Sequence, residues 1–501
     1  MKAIEWKDVQ RIVLSGYPCL CHSAYLLWRF QPAQLALKKK WLADLSQRLA
    51  AATVDDEPSK PAINLALTHS GLRNLGVAES ELNSFSLEFI EGMAPLPVNE
   101  QIPRRTNVLG DLEDSSPEHW DWGGWSKRRD IDGVLLLYAA DGGSLQKMIT
   151  AEIAAMQGIT DGNPIVLRGR FLSEMKEHFG YVDGLSQPKI EGRPDRNKDK
   201  SADKSNPDRI KPGSEVKPGE FVLGYPNERG ARVTNGHGRD IRRNGTYLVF
   251  RQLEQDVDAF SAFLSEVAKR TGENEEWVAA RLLGRWRNGD PLVVTEANSQ
   301  PAKAERPDVE ATDAKRSDVE AADAKEPDAP AEEPCEKNTA SKNDFLYYYK
   351  DRSGLMCPIG AHIRRANPRD SLGPDPETAL RLSKMHRIIR RGRPYGEEWR
   401  PDSAKADGDK ADRGMLFIAL NADIAGQFEL IQHSWLNNPR FNGLYSGTDP
   451  ISHCARDGLG ITIQNRPVNI HIDRPKPFVR VRGGAYFFLP GIQALQDIAR
   501  T

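Results

Sequence analysis

Three short stretches gather residue types that can bind a metal or move protons. The first is CPIGAHIRRANPRD, residues 357–370, where His362 is followed by Arg364, Arg365 and Arg369. A neutral imidazole is a good iron ligand, and nearby guanidiniums pair with carboxylates. The plain alternative is a structural histidine beside a solvated basic face. The second is EHFGYVDGLSQPKIEG, residues 177–192, with Asp183 between Gly180 and Gly184. Glycines let backbone approach a ligand, and a loop carboxylate among apolar neighbours serves as acid or base. Its bland counterpart is an aspartate that caps a turn. The third is HRIIRRGRPYG, residues 386–396, where Arg390 and Arg391 follow two isoleucines. A fixed guanidinium stays cationic and stabilises a developing oxyanion, or else it decorates a basic surface turn.

These stretches need a scaffold. INLALT (63–68), GVLLLYAA (133–140), GTYLVFRQL (245–253), GMLFIALNA (414–422) and AYFFLP (485–490) have the composition of strands. Segments 144–157, 258–271 and 275–287 carry apolar residues at helical spacing. Strands and helices without a parallel crossover run predict an α+β fold with antiparallel sheets. The two sides of residue 205 carry similar mixtures of elements, which permits a duplicated fold.

Residues 297–342 are Ala, Asp, Glu, Lys and Pro with a near-repeat, DVEATDAK then DVEAADAK. Such a composition cannot offset its ordering entropy by burial, so a disordered insertion is expected there. Residues 193–217 and 402–412 are polar and predict surface loops.

Composition excludes several classes. A formal net charge of -2 gives no general attraction to nucleic acid or an anionic membrane, so neither partner is expected. Five cysteines, without zinc spacing, argue against a disulfide framework and suit a reducing compartment. No apolar h-region follows the basic start and no run approaches a membrane span. No targeting tail is expected after the last core strand. A soluble cytoplasmic protein is the expectation, with its oligomeric state open.

Together, and in this order, the three stretches resemble the dye-decolourising peroxidase family. The resemblance extends to INLALTHSGLRNLG (63–76), the stretch 114–123 that ends in PEHWDWG, NGTYLVFRQLEQDVDAF (244–260), NADIAGQFELIQHSWLNNPRF (421–441) and FVRVRGGAYFFLPGI (478–492). It covers nearly the whole chain outside the polar insertions and is nearest the longer, more elaborate branch.

The resemblance implies a duplicated ferredoxin-like fold, one half over 1–205 and one over 206–501, with haem b between sheet and helices. His362 would ligate the iron. Asp183 and Arg390 would handle hydrogen peroxide, and an organic donor such as a dye or phenolic would return the electrons singly. Arg369 would reach a haem propionate, and Gly184 and Ser186 would border the cofactor. Met415 and Phe417, alternating on one strand, would wall the pocket. A carboxylate backs the iron histidine in the family; Asp449 is the first candidate and Asp423 the second. Three rivals stay open: a non-catalytic haem carrier or sensor, a thiolate haem protein using Cys357, and an anion-binding module built on Arg364, Arg365, Arg369, Arg390 and Arg391.

Overall fold

The computed structural model describes residues 3–53, 58–99, 101–126, 130–194, 215–232, 240–299, 342–399, 412–452, 460–473 and 476–501. Its strands are β1 His22–Trp28, β2 Ala62–Leu67, β3 Gly133–Ala139, β4 Ile165–Arg170, β5 Thr246–Gln255, β6 Ile389–Arg390, β7 Arg393–Tyr395, β8 Gly414–Asn421, β9 Gly460–Ile463, β10 Ile470–Asp473 and β11 Val479–Leu489. β9 and β10 form a separate hairpin. The other nine share one sheet in the order β4-β1-β3-β2-β11-β5-β8-β6, with β7 also on β8, and every strand pair is antiparallel.

That order contains one pattern twice. In the first half the strands run fourth-first-third-second, and β11-β5-β8-β6 repeats this with the strands of the second half. Each first strand is followed by a helix, Leu35–Ser46 after β1 and Val257–Thr271 after β5. This is the ferredoxin-like arrangement, built twice. The halves join where Leu67 of β2 pairs with Phe488 of β11.

Burial explains the strand sequences. GVLLLYA of β3 is buried at every position, because helices pack on one face of the sheet and the N-terminal segment packs on the other. A strand covered on both faces reads as a continuous apolar run. β8 differs. Leu416 and Ile418 are buried while Met415 and Phe417 are only partly so, because alternate side chains reach a cavity beneath the second half.

Some boundaries depart from the sequence pattern. The helix expected over 275–287 is Glu275–Leu283; Gly284 (φ 98°) ends it in the left-handed region open to glycine. β1 and β4 carried no clear signal, and β4, with its alternating arginines, sits at the sheet edge. At the ends of the expected 297–342 insertion a helix runs over Leu292–Ser299 and Lys342 pairs with Asp290. Residues 300–341, 195–214 and 400–411, which hold the rest of that insertion and most of the two polar loops, lie outside the described residues, as does residue 205.

Candidate active site

His362 opens a helix of a single turn, His362–Ala366. So short a helix owes its place to packing. Arg365, fully buried, donates to the carbonyls of Trp435 (2.6 Å), Gly447 (2.6 Å), Asn438 (3.0 Å) and Gly360 (3.2 Å). Arg364, also fully buried, bonds the Cys357 carbonyl at 2.7 Å and the Asp351 carboxylate at 3.1 Å. Gly284 touches the same turn: a Cβ there would stand 2.6 Å from Ile363 Cγ1 and 3.0 Å from Cys357 Sγ. The RR pair is therefore an internal clamp, the opposite of a solvated basic face.

The clamp presents His362 to the cavity with Nδ1 turned toward Asp449, 2.9 and 3.1 Å from its two oxygens. Asp449 is completely buried and also accepts from the N–H groups of Ile451 (3.0 Å) and Ser452 (2.7 Å). Burial alone would raise its carboxyl pKa; the charge and hydrogen bond of His362, with the Ser452 N–H and Arg365, outweigh it and hold the group at about 2. A carboxylate on Nδ1 keeps the proton there and leaves the Nε2 lone pair free to bind a metal. Asp423, the second candidate, is spent elsewhere, capping the π-helical turn Ile424–Glu429 by accepting from the Gly426 N–H at 2.8 Å.

The second cluster comes from a loop and a sheet edge. Gly180 and Gly184 take φ of 91° and 81°, so the loop needs glycine for its dihedrals. Asp183 Oδ1 accepts from Arg390 Nη1 at 2.8 Å, and each side chain is about one-third exposed, at 33% and 34%. Burial pushes the Asp183 carboxyl up, but Arg390 and the Gly184 N–H prevail and hold it below the usual carboxylate range. Gln187 ties loop to strand: its Oε1 accepts the Arg390 N–H and its Nε2 donates to the Arg390 carbonyl, both at 3.0 Å.

His362 and the Asp183–Arg390 pair line one cavity of about 1110 Å³, which Ser186, Met415 and Phe417 also line. Other expected residues fall outside it. Gly184 bounds the loop without lining the cavity. Arg369 is buried and is not among the cavity-lining residues, bonding the carbonyls of Asn343 and Phe345 at 3.0 Å each with its guanidinium over the Phe345 ring. Two arginines that the motifs did not single out line the cavity instead, Arg285 and Arg387. Arg285 is buried with Nη2 unpartnered, and Arg387 makes no side-chain hydrogen bond or ion pair among the described residues. Burial, with like charge from Arg369 and Arg390, lowers them to about 10 and about 9, still cationic at neutral pH. The only signal for Arg387 was its place three residues before Arg390.

Two rivals lose their geometry. Cys357 is fully buried outside the cavity, and burial pushes its thiol up to about 11, unlike a metal-ready thiolate. Arg364, Arg365, Arg369 and Arg391 donate to backbone carbonyls, so they form no common anion site.

No helix among the described residues is long and apolar enough to cross a membrane. No family model matches the chain. A dye-decolorizing peroxidase of Mycena epipterygia is 30% identical over 507 residues, covering 92% of this chain and 81% of that protein. One from Auricularia auricula-judae is 26% identical over 97% of this chain and 86% of its own. Among solved structures, a fungal DyP-type peroxidase from Auricularia auricula-judae superposes with a TM-score of 0.74 at 22% identity over 100% of both chains. A DyP-type peroxidase of Anabaena gives 0.73 at 22% identity, over 98% of this chain and 94% of that one. A cavity walled by a carboxylate-backed histidine and by an aspartate–arginine pair, in a chain this similar to the Mycena protein along its length, leads to one conclusion: this chain belongs to the dye-decolourising peroxidase family and is an enzyme that uses hydrogen peroxide.

Proposed function

We propose that the chain binds haem b with His362 as the iron ligand, Asp449 as its buried partner, and Asp183 with Arg390 as the peroxide-handling pair. The observation that carries this reading is the meeting on one cavity of His362, backed by Asp449, with the Asp183–Arg390 pair. The donor set suits the group: a free imidazole nitrogen for iron, apolar walls at Met415 and Phe417, and two cationic guanidiniums, Arg285 with its Nη2 unpartnered and Arg387 without a side-chain hydrogen bond among the described residues, that suit two propionates. Haem, when bound, supplies the redox centre through which peroxide is reduced and organic donors are oxidised one electron at a time.

The residues supply proton placement and charge. Asp183, held ionised by Arg390, would take a proton from one peroxide oxygen and return it to the other. Arg390 holds the carboxylate in reach and stabilises negative charge as the O–O bond lengthens. Asp449 keeps the His362 Nδ1 proton in place and makes the imidazole a stronger donor. Haem storage needs neither Asp183 nor Arg390, which disfavours the carrier reading. The halves 1–205 and 206–501, a dispensable 297–342 segment and a cytoplasmic setting complete the proposal, the last resting on cysteine usage.

The test is direct. The purified, haem-loaded protein should show a Soret band and decolourise an anthraquinone dye only when peroxide is added. A Soret band with no peroxide-dependent turnover would favour the carrier.

A further inference from the structure

β6, which carries Arg390, is two residues long and ends the strand order of its sheet. A strand neighbours it on one side, where Arg390 lies opposite Ala419 of β8 and the Arg391 N–H donates to the Ile418 carbonyl at 2.8 Å. Successive peptides of an antiparallel strand face opposite sides. The N–H and carbonyl of Arg390 therefore face away from β8, onto the open edge of the sheet, where a strand has unmet peptide groups.

Gln187 closes that edge. A side-chain amide offers an acceptor and a donor, the same two groups as a peptide. Both are spent on Arg390: Oε1 takes its N–H and Nε2 donates to its carbonyl, each at 3.0 Å. The side chain thus stands in for one rung of a missing strand. The Arg390 carbonyl has a further donor in Arg391 Nη1 at 3.1 Å, whereas its N–H is matched by Gln187.

Asp183 lies four residues earlier on the same loop. That end is anchored by its own backbone: the Asp183 N–H donates to the Met175 carbonyl at 3.0 Å and the Val182 N–H to the Arg287 carbonyl at 3.1 Å. Between the two ends Leu185 packs on Gly289, where a Cβ would stand 2.5 Å from Leu185 Cδ1. One loop therefore sets both sides of the 2.8 Å Asp183–Arg390 contact, the carboxylate through its own backbone and the guanidinium through the Arg390 peptide. Gln187 is not among the cavity-lining residues, so it acts on the cavity through Arg390.

We propose that Gln187 is a positioning residue for the peroxide reaction: its amide fixes the register of β6 against the Asp183 loop and so holds the Arg390 guanidinium within reach of Asp183. The proposal rests on the Asp183–Arg390 reading. Misplacing a reacting group by 1 Å can cost about 10²-fold in rate, so a lost rung at the backbone of Arg390 is felt at its guanidinium. Burial raises the Asp183 pKa, and Arg390 and Arg393 lower it; Glu177 is the neighbouring carboxylate. Arg393 is held separately on the carbonyls of Gly16 and Tyr17, and Glu177 by the N–H groups of Phe179 and Tyr181. Removing the rung should therefore reach Asp183 through Arg390, and raise its pKa.

The experiment follows the Asp183 carboxyl by carbon-13 NMR in the full chain before haem is added, with Asp183→Asn identifying the signal. Gln187→Leu should raise that titration by roughly 0.5–1 unit. After haem loading the same variant should keep the resting Soret band, react with peroxide about tenfold more slowly or worse, and move its acid limb to higher pH. A role confined to stability would lower Tm and leave both pH readouts where they stand. An unmoved Asp183 titration, or the parent's rate and acid limb, in a folded Gln187→Leu would overturn the proposal. Gln187→Met, nearer to glutamine in length, repeats the test if leucine prevents folding. Failure of both to fold would assign Gln187 to the fold alone and overturn it as well. A protein that shows the titration shift yet takes up no haem would instead sink the haem reading and leave the positioning of Arg390 standing.

Discussion

The two walls of the cavity are built to opposite specifications. On the His362 wall the working group is backed by a carboxylate with no solvent exposure, which takes N–H bonds from its own loop, and the helix carrying it is clamped by two buried arginines. On the Asp183 wall the working groups are each about one-third exposed, at 33% and 34%, and one side-chain bond joins them. A metal ligand works by holding one direction and one tautomer, and burial with multiple hydrogen bonds fixes both. An acid–base group must change protonation within a cycle, and a carboxylate locked by several donors would resist that. The contrast teaches where mutation should be catastrophic and where it should be kinetic.

The largest effect is expected at the fixed wall. His362→Ala should fail to hold haem, read as loss of the Soret band after reconstitution and desalting; full haem content with an unchanged spectrum would break the comparison. Next comes the open wall. Arg390→Leu should slow the peroxide-driven spectral change by about 10²–10³, the usual cost of removing one oxyanion-stabilising donor. It should also move the acid limb of that rate. In the proposed role Asp183 works when ionised, so activity should be present above its own pKa and lost as pH falls through it. Because Arg390 lowers that pKa while burial raises it, the parent limb should lie below the ~3.9 reference value, and Arg390→Leu should shift it to higher pH. Asp449→Asn is expected to keep the fold and lose about 10–100-fold in haem affinity, the range for partners of metal ligands, as measured by competition with apomyoglobin.

Smaller effects separate the arginines. Arg387→Leu should weaken haem retention and leave thermal stability near the parent. Arg369→Leu should do the reverse, since it strands two carbonyls; an unsatisfied buried group costs about 1–3 kcal/mol, visible as a lower Tm of the apoprotein. The smallest effect is expected from deleting 301–340, which should leave haem content and turnover close to the parent. Loss of folding would show that the segment packs on the body.

Much of this was legible in the sequence because its signals are local. Strands β2, β3, β5, β8 and β11 announce themselves as apolar runs, and GYVDG, AHIRR and RIIRRG carry Asp183, His362 and Arg390. The functional partners were harder, because sequence spacing does not reveal which groups meet in space. Arg369 and Arg387 are both arginines in basic stretches, yet one is turned into a cage of carbonyls and the other to the cavity. Asp449 was ranked ahead of Asp423 only through the resemblance; its contact with His362 spans 87 residues. The Gly284 contact with Ile363, the Gln187 bonds to Arg390 and the Asp111–Arg251 pair are likewise long-range and leave no periodic trace. β4 was hidden for a different reason: an edge strand with arginines on alternate positions does not read as core.

The division between a fixed wall and a working wall is tested most directly by stopped-flow mixing of peroxide with haem-loaded Asp183→Asn across roughly pH 3–6, a window that brackets the carboxylate reference value. Asparagine preserves shape and leaves Arg390 in place but cannot take a proton. The expected result is an unchanged resting Soret band, a spectral change at least tenfold slower than the parent's, and no acid limb. An Asp183→Asn protein that reacts with peroxide at the parent rate and keeps the parent's acid limb would contradict it, and would hand proton transfer to Arg390 and water.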